Sequence, residues 1–436
     1  MNTTAYFKER FDLLQLVDKG NGIDIIRQTA FDNFNKLGIP TARHEEWKYT
    51  RIGGLFNKEY QLPVQELTRS VSKEDLDVVR LPGHEKASEL FFINGLFSFP
   101  FSVIRSETLL VLPLEEAAQN EYRDIVSKHF GDSGKYLNDG INALNTAFVQ
   151  GAVFIHVKKG QTTDQPIYIY NITDASSGNI LSQPRSLLHI NEQAQVQLVE
   201  TYSTIGLNES FTNQVVEIIV EKDALLEYYK IQNDAGYTNQ VSTTHIRQVG
   251  KSYVHTVTIS LNGGIVRNNL NVILDAEFCE AHLYGLYLQN GNSHIDNHTV
   301  VDNVQPNCYS NEFYKGMFDG KSTGVFNGKI FVRPQAQKTN AYQSNKNILL
   351  SNAATINSKP QLEIFADDVK CSHGSTVGRL NEEGMFYLQS RGINEKTARS
   401  LLLYAFAVDI LEHIKPAPIR KYVDKLISER LATGTI

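Results

Sequence analysis

The pattern of apolar and polar residues predicts helices at the start of the chain. Apolar residues recur every three to four positions between residues 7 and 17 and again between 23 and 34, which predicts two amphipathic helices. Gly38-Ile39-Pro40 ends the second, because proline donates no hydrogen bond and disfavours helical geometry in the preceding residue. A hairpin is predicted around Asn94-Gly95, and a further helix from Tyr136 to Phe148.

Beyond Gly151 the pattern changes to short stretches rich in β-branched and aromatic residues, such as VFIHV and YVHTVTISL. Turn residues separate them at roughly ten-residue spacing, which is typical of a sandwich, a barrel or a β-solenoid. Asparagine is abundant between residues 262 and 357. At the corners of stacked coils, asparagine accepts left-handed backbone angles and can ladder its amides. We therefore favour the solenoid, although no fixed sequence period is visible.

Helical periodicity returns near the carboxyl end of the chain. Asn394 is a predicted N-cap, and the helix after it is apolar on nearly all sides between Ala398 and Leu411. Such a helix must be covered by its own domain or by a partner, and ordinary burial is the more frequent case. A last helix with one apolar stripe is predicted from Ile419 to Leu431. The predicted regions are a mainly helical part (1–148), a β-solenoid (149–392) and a helical end (393–436).

Composition narrows the possible environments. The 436 residues include 42 Lys plus Arg against 48 Asp plus Glu, a formal charge of -6, so no basic excess favours nucleic-acid binding. Three cysteines cannot build a disulfide framework, which indicates a reducing compartment. The first fifteen residues lack the apolar stretch of a secretory signal, and the longest apolar run, Leu401 to Val408, is too short to span a membrane. The sequence predicts a soluble, cytoplasmic protein.

The candidate metal ligands are pairs of cysteine and histidine. Cys371 and His373 are two residues apart on a predicted strand, so both side chains project to the same face and can meet one metal. Two ligands make half a site, and the others would come from elsewhere. Two weaker pairs are more often structural than metal-binding. They are Cys279 with His282, and His294 with His298.

Other motifs carry less weight. Gly316 to Ser322 resembles a phosphate-binding loop, but it has one residue too few between its glycines and no helix behind it. Asp367 and Asp368 are adjacent, so on a strand they would face opposite sides, which disfavours a paired-carboxylate glycosidase. A series of cations between 315 and 346 could line one face as an anion or acidic-partner patch, although solvated side chains explain it equally well. They are Lys315, Lys321, Lys329, Arg333, Lys338 and Lys346.

A family resemblance then emerges from longer motifs. The run from Val325 to Ile393 resembles the core of the SufB/SufD family of iron–sulfur cluster assembly proteins. Within it, ADDVKCSHGSTVG followed by FYLQSRGI is similar to the SufD branch. GIPTARHEEWKYT from Gly38, INGLF from Ile93 and LNTAFVQGAVFIHVKKG from Leu144 agree with it. The similarity therefore extends over most of the chain.

The resemblance implies a right-handed parallel β-helix with helical ends, and a scaffold subunit without catalytic turnover. Its implied partners are SufB, paired through the β-helix, and the ATPase SufC, held by the carboxy-terminal helices. A transient cluster or iron is implied at the SufB interface, with His373 and Cys371 as candidate ligands. A flavin is possible in the complex, no cofactor is expected in the isolated chain, and the isolated chain can be a homodimer.

Two alternatives stay open at this point. A SufB-type paralog would be the main cluster scaffold, but the C-S-H-G motif and the scarcity of cysteines disfavour it. A β-helix carbohydrate-active enzyme would need clustered carboxylates and an export signal.

Where many family members have a histidine after D-x-x-T-x-V-x, this chain has Asn303, so a ligand there is doubtful. Cys308 is expected to be a small core residue.

Overall fold

The computed structural model describes residues 3–17, 23–62 and 71–433. Within them, strands form the centre of the chain and helices lie toward both ends. The helices are α1 (Thr3–Val17), α2 (Asp24–Leu37), α3 (Lys73–Val79), α4 (Leu114–Ala117), α5 (Arg123–His129), α6 (Gly140–Ala147), α7 (Glu382–Ser390), α8 (Glu395–Leu411) and α9 (Ala417–Thr433). The strands are β1 (Ser88–Ile93), β2 (Leu96–Phe97), β3 (Leu109–Pro113), β4 (Val153–Val157), β5 (Ile167–Asp174), β6 (Ile180–Ser182), β7 (Arg185–Ile190), β8 (Gln195–Ile205), β9 (Ser210–Val220), β10 (Leu225–Asn233), β11 (Thr238–Gln248), β12 (Tyr253–Asn262), β13 (Ile265–Leu274), β14 (Glu280–Gln289), β15 (His294–Asn303), β16 (Tyr309–Phe318), β17 (Thr323–Val332), β18 (Asn340–Leu349), β19 (Thr355–Ile364) and β20 (Lys370–Gly378).

From β8 onward, consecutive strands alternate between two sheets. The first sheet has the order β2-β1-β5-β8-β10-β12-β14-β16-β18-β20, and the second has the order β19-β17-β15-β13-β11-β9-β7-β4-β3, with β6 beside β9. Neighbouring strands from β8 to β20 are parallel, so each consecutive pair forms one coil stacked on the next. The core is therefore a β-solenoid of about eight turns, and the predicted fold class is confirmed.

The number of residues per coil varies along the solenoid, so the sequence shows no fixed repeat. Tyr253 pairs with Glu280, 27 residues later, whereas Tyr309 pairs with Asn340, 31 residues later. One corner of most coils holds a residue with positive φ, but its type changes from coil to coil. The members of this series are Gln193, Asp223, Phe278, Asn307 and Lys338. The expected asparagine corners were thus largely wrong, because in the 262–357 stretch only Asn307 of the asparagines has this conformation.

Many of those asparagines lie on strands instead, inside the solenoid. The interior is apolar along much of its length, but a polar seam runs through it. Asn268 on β13 donates to Asn297 Oδ1 on the next coil at 3.1 Å, and Asn345 on β18 donates to Tyr287 Oη at 2.7 Å. Burying an amide without a partner is costly, and these hydrogen bonds between coils satisfy part of the seam, although Asn297 Nδ2 has no partner among the described residues.

The amino-terminal helices cover the outer face of the second sheet. α1, α2 and α6 share an aromatic cluster with that sheet, in which Phe11 and Phe31 stack with their ring centroids 4.0 Å apart. The two first helices are confirmed. The third is shorter than predicted, since Asp139 caps it by accepting from the Ile141 and Asn142 amides. The Asn94-Gly95 hairpin is confirmed as the β1–β2 turn, and β1 also joins the first sheet beside β5.

The carboxy-terminal helices α8 and α9 cover the outer face of the first sheet. Their apolar residues share one cluster with the outward side chains of β10, β12 and β14. Asn394 accepts from the Thr397 amide, which confirms the predicted N-cap. Among the described residues, no helix combines the length and apolarity needed to cross a membrane.

Candidate functional site

Cys371 and His373 lie on β20, the last strand of the first sheet. β20 pairs only with β18 in the described part of the chain, so this end of the solenoid is open. Cys371 is half-buried and packs against the solenoid core. His373, two residues further along the strand, projects to the same face and is exposed. The pair thus borders the interior at its open mouth.

The chemistry of this pair is that of soft and borderline metal ligands. Burial raises the pKa of the Cys371 thiol, so the thiol is protonated near neutral pH and a metal must displace that proton. In residues 3–17, 23–62 and 71–433, no group of three or more His, Cys, Asp or Glu side chains is arranged to hold a metal ion. The thiol and the imidazole therefore offer two donors, which suits a site completed by another chain.

A polar row leads inward from His373. His373 pairs with Gln343 on β18, and Gln343 pairs with Glu312 on β16. Gln343 Nε2 donates to Glu312 Oε2 at 2.6 Å, and burial raises the pKa of Glu312 to about 7. A Cβ at Gly328 on the opposite sheet would lie 2.3 Å from Gln343 Nε2, so a side chain there would displace this amide.

The sequence did not reveal Glu312 or Gln343 as part of this region. They lie 61 and 30 residues before His373 in the sequence, and only the coil register brings them into line. A sequence repeat near 30 residues would have indicated that these positions align, but the corners differ in length and residue type, so no such repeat is visible.

Exposed apolar side chains lie on the last coil and on the helix that follows it. Val377 on β20 is 51% exposed, and the end of β19 adds Ile364 and Phe365. On α7, which follows β20, Phe386 and Tyr387 are exposed as well. Unpaired strand edges beside apolar side chains favour association with another protein.

α8 buries one side and leaves another uncovered. Ala398, Leu403, Ala407, Ile410 and Leu411 are buried, whereas Leu401 is 46% exposed. The buried Lys315 on β16 links α8 to the first sheet, because its ammonium donates to the Phe406 carbonyl at 2.9 Å and pairs with Asp409.

The weaker cysteine and histidine pairs are structural. Cys279 is buried in the core and donates to the Gly250 carbonyl at 3.3 Å, whereas His282 contacts Glu280. Cys308 is also buried in the core, as expected from its sequence context.

His294 and His298 hold the amino-terminal motif against the second sheet. His294 Nε2 lies 2.8 Å from Thr50 Oγ1, and His298 lies between Asp296 and Glu46. The GIPTARHEEWKYT segment is therefore fixed to strands far away in the sequence.

Of the two interpretations of the cations between 315 and 346, a single patch on one face does not fit the structure. Lys315 and Lys346 lie on the first sheet, whereas Lys329 lies on the second sheet and Lys321 and Lys338 lie outside the strands. Asp367 and Asp368 lie in an exposed corner between β19 and β20. In the segment that resembles a phosphate-binding loop, Gly316 to Ser322, residues 319–322 form a corner of the solenoid. This corner leads into the strand β17, whereas a phosphate-binding loop is followed by a helix.

Comparison with known families agrees with this architecture. The chain belongs to the SufBD family of iron–sulfur cluster assembly proteins: residues 171–406 match the family described as "SUF system FeS cluster assembly, SufBD core domain", and residues 3–169 match the "SufBD protein N-terminal region". It is similar to the iron–sulfur cluster assembly protein SufD of Escherichia coli, with 29% identity over 409 residues that cover 92% of this chain and 91% of that protein. A SufBD family protein of Synechocystis is 31% identical over 423 residues, 93% of this chain and 90% of the relative.

Proposed function

We propose that this protein is a SufD-type scaffold subunit of a SUF assembly complex and has no catalytic turnover of its own. It pairs through the open end of its solenoid with a SufB-type subunit, and a nascent cluster or iron is the cargo assembled at that junction. His373 and Cys371 are its ligands on this side, and SufB supplies the others. The observation that carries the proposal is the thiol–imidazole pair on an outer strand bordered by exposed apolar side chains.

The proposed cargo suits the donor set. Thiolate and imidazole both bind iron and iron–sulfur clusters, and binding would draw the proton from Cys371. The cluster is transient, and a flavin, where one is present, belongs to the assembled complex. We place the complex in the cytoplasm, where a half-site with free thiols stays reduced.

The first prediction concerns His373. In a complex reconstituted without oxygen from this chain, SufB and SufC, His373→Ala should lower the cluster-specific absorption and the bound iron severalfold, because one ligand is lost. His44→Ala, at an exposed histidine of the amino-terminal segment, is the matched control and should assemble normally. Circular dichroism should show that both variants are folded. Normal assembly by the His373 variant would remove this residue from the site.

The second prediction concerns the ATPase. We propose that SufC docks on the helical region 393–436, which includes the uncovered side of α8. Leu401→Asp should weaken SufC capture in a pull-down at least tenfold, since it places a charge in an apolar contact. Val78→Asp, at a position that is also exposed but lies on α3, should bind SufC normally. Unchanged capture by the Leu401 variant would move the SufC contact elsewhere.

A further inference from the structure

A second concave site lies on the outer face of the second sheet, away from β20. Its floor comes from β13, β15 and β17, and its walls are Glu46 on one side and residues 135–137 on the other. The cleft holds about 400 Å³, which is within the range of small-molecule sites. No step in cluster assembly proposed above uses it.

Positive charge dominates the lining of this cleft. Lys135, Arg247, Lys329 and Arg333 line it, against one carboxylate, Glu46. The acids that pair with Arg247 and Arg333 include Asp132 and Asp302, whose side chains are almost fully buried. Asp132 also pairs with Lys135, and Asp275 pairs with Arg247. Carboxylates therefore offset part of the charge of each cation, while the side chains of Lys135 and Arg333 stay 68% and 39% exposed.

Lys329 is the least satisfied of these cations. Its ammonium lies 3.3 Å from Glu46 Oε1 and 3.9 Å from Glu363 Oε1, both longer than a strong charge-assisted hydrogen bond. The ring of Phe331 lies beneath Lys329 and Arg333, 5.6 and 5.0 Å from their charged groups. The ring thereby supports both cations at the edge of the cleft.

Asn271 supplies an independent sign of a ligand. It lies on β13 between Leu270 and Val272, which face the solenoid core, so its side chain points outward into the cleft. It is only 1% exposed, and its Nδ2 has no hydrogen-bond partner among the described residues. An unpaired buried donor costs about 1–3 kcal/mol, a cost that a ligand acceptor would remove.

We propose that this cleft binds a small polyanion through its phosphate or carboxylate oxygens. The Asn271 amide donates to one oxygen, while Lys329 and Arg333 balance the charge at the opening. The chemistry of the site recognises oxyanions in general, so a phosphate compound and a polycarboxylate are its two possible sources.

The test is calorimetric titration of the full-length chain with pyrophosphate and, separately, with citrate at about 0.15 M ionic strength. If only pyrophosphate binds saturably, the natural ligand is a phosphate compound. If only citrate binds saturably, the ligand is a polycarboxylate. Saturable binding of both supports a general oxyanion site. The absence of saturable binding for both probes would overturn the proposal.

Variants then assign any binding to the cleft. Lys329→Met and Asn271→Ala should each raise the dissociation constant at least tenfold. Lys321→Ala, which removes an exposed lysine in a corner outside the cleft, should leave it unchanged. Lys329→Met removes a charge at the edge of the cleft, where the fold does not depend on it. If Asn271→Ala unfolds the protein, Lys329→Met still tests the site. Equal binding by Lys329→Met and the unsubstituted chain would refute the assignment. The site is independent of His373, so its failure leaves the proposed assembly role intact.

Discussion

Glu312 is a carboxyl group enclosed in the solenoid two coils behind the proposed cluster site. Only Gln343 separates its position from that of His373 across the sheet, and burial raises its pKa to about 7. In the unfolded chain the same group would titrate near its usual value of about 4.3. The folded state therefore holds the proton more tightly, and the stability that this proton contributes is present at low pH and is lost as pH rises through about 7.

A glutamine at position 312 should remove this dependence. Between pH 4.5 and 8 the free energy of unfolding of the unsubstituted chain should fall, relative to that of Glu312→Gln, by about 3 kcal/mol, since one pKa unit corresponds to about 1.4 kcal/mol. Denaturant unfolding at several pH values measures the difference. Glu412→Gln changes an exposed position just after α8. Its free energy of unfolding should depend on pH in the same way as that of the unsubstituted chain. A constant gap between Glu312→Gln and the unsubstituted chain would show that folding does not raise the pKa of Glu312.

At the residue scale, sequence reasoning reaches the parts of a site that are close in the chain. Cys371 and His373 are two residues apart, and strand geometry alone gives them one face. Gln343 and Glu312 belong to earlier coils, and their relation to His373 depends on a register that coils of 26 to 32 residues do not display in sequence. Asn271 and Lys329 likewise meet only after β13 and β17 have stacked.

At the scale of elements, the contact between α8 and β16 depends on one buried cation. Lys315 is almost fully enclosed, and its ammonium joins the Phe406 carbonyl and Asp409 to the sheet. Lys346 occupies the paired position one coil further on but is exposed. The two lysines thus form a natural comparison.

Lys315→Met should loosen α8 without exposing its apolar face. A lost hydrogen bond to a charged group costs about 1.5–3 kcal/mol, so amide exchange in α8 should accelerate at least tenfold if the helix opens locally. Hydrogen-exchange mass spectrometry reads this directly. Lys346→Met should leave α8 exchange unchanged. An equal effect of the two substitutions would show that Lys315 does not hold the helix.

Most elements followed from local pattern, and the exceptions have physical causes. The helix predicted from Tyr136 begins at Gly140 because Asp139 caps it. The sequence favours a solenoid partly because asparagine suits its corners, yet Phe278 and Lys338 adopt the same left-handed angle. The corner is imposed by the stacked strands around it, so the backbone overrides the residue preference that the sequence offers.

At the scale of the whole molecule, the solenoid has unequal ends. At one end the outermost strands, β2 and β3, run antiparallel to their neighbours. At the other end β19 and β20 are parallel strands of the last coil and carry exposed apolar residues. Each coil contacts chiefly its neighbours, as in other stacked proteins. An uncovered last coil favours addition of a further coil from another subunit.

Without SufB, we expect two copies of this chain to associate through their last coils. Analytical ultracentrifugation over a wide concentration range should show a reversible dimer, and Val377→Glu should weaken it at least tenfold by placing charge at the strand edge. Leu207→Glu, at an exposed apolar residue outside the last coil, should not. A dimer that tolerates Val377→Glu would place the contact on another surface.

The attachment of the amino-terminal segment also affects how the chain assembles during synthesis. Glu46 contacts Asn327, 281 residues later, and Glu45 contacts Lys359, 314 residues later. At about 5–20 residues per second, a ribosome needs roughly 15–60 s to produce those strands after the segment emerges. Trp47, whose indole finally lies beneath the Arg267 guanidinium, stays without that cover until β13 has been made. The contacts of this segment with β13, β17 and β19 can therefore form only late in synthesis, although its contact with Asp139 can form earlier.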